Sequence, residues 1–123
     1  MFYRCRTLLA GERAMRAISH PVAEQLSLSG VLHALSDPVR LEIVRALAHG
    51  TEVSCGELRA PVSKSTLSHH LKVLRDAGLT QTRAVGVQRL VSLRAGDVEA
   101  RFPGLLPCVL EHCAREAAHR AQR

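Results

Sequence analysis

The sequence predicts a mainly α fold with a small β-hairpin, in which short helices pack beside a two-stranded wing. Three observations carry this expectation. Apolar residues recur at helical spacing along much of the 123-residue chain, aromatic residues make up only 2% against 46% apolar overall, and the pattern turns to strand-like once, between residues 79 and 93. A core this poor in aromatics must be built from Leu, Val, Ile and Ala, which suits closely packed helices. One domain is expected at this length, with residues 1–20 a flexible N-terminal extension and 21–120 the folded part. Met15 stands close to the first structured segment, so residues 1–14 are expected to lie outside the fold.

Leu28, Val31, Leu32 and Leu35 form one helical stripe, and Ser27 is placed to cap its start. A second helix, about Pro38 to His49, begins with Asp37 as N-cap and proline at the first position, where no amide donor is needed. It buries Leu41, Ile43, Val44 and Leu47, and Gly50 stops it. A short third helix is expected near Ser54, turning Leu58 inward and ending at Pro61. Ser63 then caps a fourth helix, about Lys64 to Ala77, closed by Gly78. Its buried stripe is Leu67, Leu71 and Leu74; its open face carries Ser65, Ser68, His69, Lys72 and Asp76. Thr80–Ala84 and Val87–Leu93 read as strands joined around Val85-Gly86. Asp97 is expected to cap a short turn ending at Phe102-Pro103, ahead of a last helix from about Gly104 to Arg120.

A short helix, a tight turn and a polar-faced helix make a helix-turn-helix, and the hairpin behind it completes a winged helix-turn-helix. The formal charge of +6 fits a polyanionic partner, and all but two of the 17 basic residues are arginine, the exceptions being Lys64 and Lys72. Double-stranded DNA is the expected partner. Small hydroxyl side chains allow close approach in the major groove, so Lys64, Ser65, Thr66, Ser68 and His69 are the candidate base readers. Ser63 is a cap first and a phosphate donor second. Arg83 and Arg89 flank the hairpin tip, within reach of the backbone or the minor groove. His70, on the inner edge of the same helix, is expected to be a half-buried packing residue, while Arg40 and Arg45 are expected on a solvated face.

The stretches ALSDPVRLEIVRAL (34–47) and VSKSTLSHHLKVLRDAGL (62–79) closely resemble the ArsR/SmtB family of bacterial winged-helix repressors, over roughly residues 27–115. The resemblance implies a homodimer built through the first and last helices, an operator with twofold symmetry, and repression relieved by an inducer. It also implies DNA contact at Ser63, Lys64, Ser65, Thr66, Ser68 and His69.

Family members with a thiolate metal site carry a Cys-x-Cys pair at the third helix. The matching segment here, Val53 to Leu58, holds Cys55 alone, and one thiolate cannot bind a soft metal. Cys55 is expected to be a small half-buried residue. On the last helix, Leu106, Leu110, Cys113 and Ala117 share an apolar stripe, while Cys108, His112 and His119 share another face. Residues 108 and 119 lie about 16 Å apart along a helix axis, so a metal site there needs ligands from a partner's helix, and Arg115 on that face opposes a cation. A metal ion and a thiol-redox effector, acting through Cys5, Cys55 or Cys108, are the two effector classes the residues suggest, and neither is established.

An enzyme is not expected. Ser63, Ser65, Ser68, His69, His70 and Asp76 lie along one helix and cannot converge on one substrate atom. The alternative function is a winged-helix protein-interaction module, disfavoured because such a surface tends to expose apolar or acidic residues in place of Ser, Thr, Lys and His. No apolar run approaches the roughly 18 residues of a membrane span, and a cytoplasmic location is expected.

Overall fold

The computed structural model describes residues 18–58 and 60–122. The α-helices are α1 (Leu28–Ala34), α2 (Pro38–Leu47), α3 (Lys64–Asp76), α4 (Ala95–Arg101) and α5 (Leu105–Ala121). The strands are β1 (Val53–Ser54), β2 (Thr80–Val85) and β3 (Gln88–Leu93), and one-turn 3-10 helices occupy Ala23–Gln25 and Cys55–Glu57. The sheet is antiparallel in the order β1-β3-β2, so β3 is central, with Val91 opposite Thr82 on one side and Val53 on the other.

Local chemistry sets the helix ends. Ser27 Oγ accepts from the Gly30 amide, and the Asp37 carboxylate accepts from the amides of Val39 and Arg40. Desolvation opposes ionisation of Asp37, but those two amide bonds outweigh it and hold its carboxyl below the ordinary value. Gly50 and Gly78, at φ +85° and +87°, provide the left-handed exits from α2 and α3. The core joins all layers without an aromatic centre: Val31, Ile43, Val44, Leu47, Leu74, Leu79, Val91, Val98 and Leu106 are buried together.

Five expectations need correction. The third helix is a single 3-10 turn, and the residues before it, Val53 and Ser54, pair with β3 as a strand too short to show a period. Leu28 and Leu32 are not core residues: they are 49% and 47% exposed, because Val31, Ala34 and Leu35 face inward instead. The hairpin turn is Gly86-Val87, one residue later than expected, since Val85 still pairs with Gln88. Asp97 lies inside α4, where its carboxylate accepts from Arg94 Nε at 3.0 Å and caps no backbone amide of the helix start. Arg40 is buried at 8% exposure, because carbonyls at the end of α1 and a ring nitrogen of His70 satisfy its guanidinium.

The segment ahead of α1 is tied down by polar contacts. Arg94 Nη1 donates to the Pro21 carbonyl at 2.7 Å, and Arg101 Nε donates to that of Leu26 at 3.0 Å. His20 Nε2 accepts the Thr82 amide at 3.0 Å, covering an otherwise open group on edge strand β2. Residues 1–17, including most of the expected extension and Cys5, lie outside the described residues.

Two expected outcomes follow from these contacts. A Cβ on Gly78 would meet Leu26 Cγ at 2.6 Å at a positive φ, whereas one on Gly50 meets nothing within 4 Å. Gly78→Ala should therefore destabilise by about 2–4 kcal/mol and Gly50→Ala by only about 1–2, read from urea midpoints at unchanged m. Burial, then the charges of Arg75 and Arg94, hold the His20 imidazole below its ordinary pKa, so it is neutral when it accepts from Thr82. Its contribution is present above about pH 6.5 and is lost as pH falls through the folded value. Hydrogen exchange at the Thr82 amide should accelerate over that interval beyond the intrinsic trend, and His20→Gln, which keeps an acceptor but does not titrate, should remove the effect.

Candidate nucleic-acid interface

Helix α3 meets two opposite demands along 13 residues. Leu71, Leu74 and the His70 ring are buried and Leu67 is half-buried, while Lys64, Ser65, Thr66, Ser68 and His69 are exposed. The exposed side chains cluster in the first half of the helix, the end best able to enter a groove. Ser63 organises that end. Its Oγ accepts from the Thr66 amide at 3.2 Å, donates to Thr66 Oγ1 at 3.0 Å, and lies 3.2 Å from Ser65 Oγ. Three hydroxyls are thus pre-arranged around amides whose dipoles favour an anion. Farther along, Lys72 Nζ is held by Asp76 at 2.7 Å, a solvated pair that leaves less of its charge for DNA.

The wing stands beside this face. A cleft of about 660 Å³ separates it from α3, with Lys64 and Ser68 on one wall and Gln88 and Arg89 on the other. Lys64 and Arg89, which line the cleft, make no side-chain hydrogen bond or ion pair among the described residues and are exposed to solvent. Arg83 differs. Its Nε and Nη2 donate to the two carboxylate oxygens of Glu52, each at 2.7 Å, which ties β2 to the loop before β1. The Arg83 hydrogen bonds, and then its charge, hold the Glu52 carboxyl below the usual range. At the tip, Val87 is 102% exposed, an apolar side chain with no packing role among the described residues.

Glu52, Gln88 and Val87 were not singled out from the sequence. The signal for the last two is the Gly86 turn: moving it one residue along places Val87 at the tip and Gln88 on the cleft wall. Arg45 is half-buried and pairs with Glu42 at 3.4 Å.

The candidate effector residues are more dispersed. Cys108, His112 and His119 are all exposed on α5. Among the described residues no three His, Cys, Asp or Glu side chains are grouped closely enough to hold a metal ion. Cys55, Cys108 and Cys113 are free thiols. Burial pushes the Cys55 thiol up, with Arg89 and Arg75 offsetting only part of the shift. Burial, then Glu116 and Glu42, does the same at Cys113. Both half-buried thiols are therefore poorly activated as nucleophiles.

Comparison with known proteins agrees with this geometry. A family model described as a helix-turn-helix domain matches residues 35–83. The HTH-type transcriptional regulator YceK of Bacillus subtilis is 44% identical over 79 residues, covering 62% of this chain and 79% of that one. The biofilm growth-associated repressor of Agrobacterium fabrum is 40% identical over 88 residues, covering 70% of this chain and 72% of its own length. Among solved structures, an ArsR-like transcriptional regulator from Rhodococcus superposes with a TM-score of 0.55 at 29% identity, over 76% of this chain and 90% of the other. No described helix is long and apolar enough to cross a membrane. A capped helix bare on its leading face, a wing beside it, and relatives of this kind across most of the fold place the chain in the ArsR/SmtB family of DNA-binding winged helix-turn-helix transcriptional repressors, a family of regulators and not of enzymes.

Proposed function

We propose that the chain represses transcription in the cytosol as a homodimer on an operator with twofold symmetry, and that an inducer releases it. The observation that carries the DNA-binding geometry is the bare leading face of α3, capped by Ser63 and anchored to the core by its buried stripe. In this reading Lys64, Ser65, Thr66, Ser68 and His69 meet base edges, while the Ser63 hydroxyl and the helix N-terminus meet a phosphate. Arg89 reaches the backbone from the wing; Arg83 contributes less, since its guanidinium is already bonded on two sides by Glu52. Leu28 and Leu32 support the dimer. Among the described residues nothing covers the apolar strip they leave on α1, and a second copy related by a twofold axis would bury it. Two copies of α3 would then enter successive major grooves about 34 Å apart. Two inducers fit this reading: a metal ion bound across two α5 helices, through Cys108 and His112 or His119, and a thiol oxidant.

Fluorescence anisotropy on a duplex from the protein's own upstream region tests this directly. Affinity should fall steeply with salt, and Lys64→Ala should weaken it about 5- to 100-fold. Arg89→Ala should lower the salt slope by about one per protomer, and Arg83→Ala by less. Leu32→Glu should shift the sedimentation equilibrium toward monomer and abolish operator binding while leaving the helical signal intact. Salt-insensitive or absent binding in the native protein would instead favour an interaction module.

A further inference from the structure

We propose that Arg40 is a positioning residue for DNA reading: through His70 it fixes the rotation of α3 about its own axis. This rests on the proposed contact of α3 with bases. Nothing in the pattern of the sequence calls for a buried guanidinium at residue 40, yet its side chain crosses between three helices. Nε donates to the Ala34 carbonyl at 2.7 Å, Nη2 to the His33 carbonyl at 3.3 Å, and Nη1 to His70 Nδ1 at 3.1 Å. The first two accept at carbonyls of the last turn of α1, at the negative end of its dipole; the His33 carbonyl also accepts from the Ser36 amide and hydroxyl, so the Ala34 bond is the firmer of the two. Among the described residues no carboxylate hydrogen-bonds the guanidinium; these three contacts, with the nearby charge of Asp37, compensate its desolvation.

The third contact bears on function. His70 lies on the inner edge of α3, beside outward-facing His69, whose ring centroid is 6.1 Å away. The rest of the inner face is aliphatic: Leu67, Leu71 and Leu74. Aliphatic packing is non-directional and tolerates a small roll of the helix, whereas a hydrogen bond weakens steeply once its angle or length departs from the optimum. A roll that moved Ser65, Ser68 and His69 by one ångström would spoil bonds to base edges and leave attraction to phosphates almost unchanged. Arg40 therefore governs specificity more than total affinity. The geometry also fixes the tautomer: His70 accepts at Nδ1, so in its neutral form its proton sits on Nε2.

The experiment compares the native protein with Arg40→Met, His70→Leu and His70→Gln, the last carrying an amide oxygen able to accept the same bond. The readout is the ratio of affinity for the upstream duplex to that for a scrambled duplex of equal length, at fixed salt and with circular dichroism as a check on folding. Arg40→Met and His70→Leu should each lower this ratio by about tenfold while scrambled-duplex affinity stays within about twofold, and His70→Gln should retain most of the ratio. If Arg40→Met does not fold, the two His70 variants decide. An unchanged ratio in folded His70→Leu, or equal losses in His70→Leu and His70→Gln, overturns the proposal. A second readout needs no DNA. Imidazole nitrogen shifts should show His70 protonated at Nε2, and amide exchange from Leu67 to Leu74 should accelerate in His70→Leu more than in α2. A native ratio of one with both of these signatures present refutes operator reading and leaves the Arg40–His70 link standing; absence of the signatures refutes the link itself.

Discussion

The whole fold is arranged around a helix that must be buried on one side and bare on the other. Helix α3 cannot be shielded by partners on its leading face, so its rigidity has to come from behind and from its ends. Behind it, Leu71 and Leu74 join the aliphatic core that β3, α2 and α4 complete. At its start the Ser63 hydroxyl satisfies an amide that would otherwise be unpaired. At its end Gly78 turns left-handed directly against buried Leu26, so the chain leaves for β2 in one direction only. The wing inherits its position from that exit.

Arginine takes on tasks that aromatic residues perform in larger cores. Arg40, Arg94 and Arg101 each send a guanidinium to a backbone carbonyl of the N-terminal third of the chain, at Ala34, Pro21 and Leu26 respectively. The bonds of Arg94 and Arg101 hold the irregular stretch ahead of α1, and that of Arg40 holds the end of α1 itself. Composition therefore overstates the charge available to a polyanion. Among the described residues, Lys64 and Arg89, in the cleft between helix and wing, are cations that no side-chain partner holds.

Helices α1, α2, α3 and α5, the capping of the first three, and the polar leading face of α3 were legible in the sequence, because each depends on residues within one or two helical turns. What was not legible depends on tertiary pairing. Strand β1 is two residues long and exists only because β3 lies beside it. Leu28 and Leu32 have the spacing of core residues, but Val31, Ala34 and Leu35 already fill the inward face. The carbonyls and ring that make burial of Arg40 tolerable come from residues up to thirty positions away. Arg83 likewise has the position of a DNA contact by local pattern, and its bond to Glu52 appears only when β2 and the loop before β1 are brought together.

The two-residue tip of the wing has a consequence for how such a protein can diverge. Strand pairing ends at Val85 and Gln88, so Gly86 and Val87 lie beyond the last rung of the sheet and touch nothing in the core. Loop-closure entropy grows only slowly with length, and a solvent-facing tip places no packing constraint on what is inserted there. Residues inserted at this tip would therefore lengthen or recharge the wing at almost no loss of folding stability. The reach of the wing can change while the geometry of α3, fixed by the core and by Gly78, stays as it is.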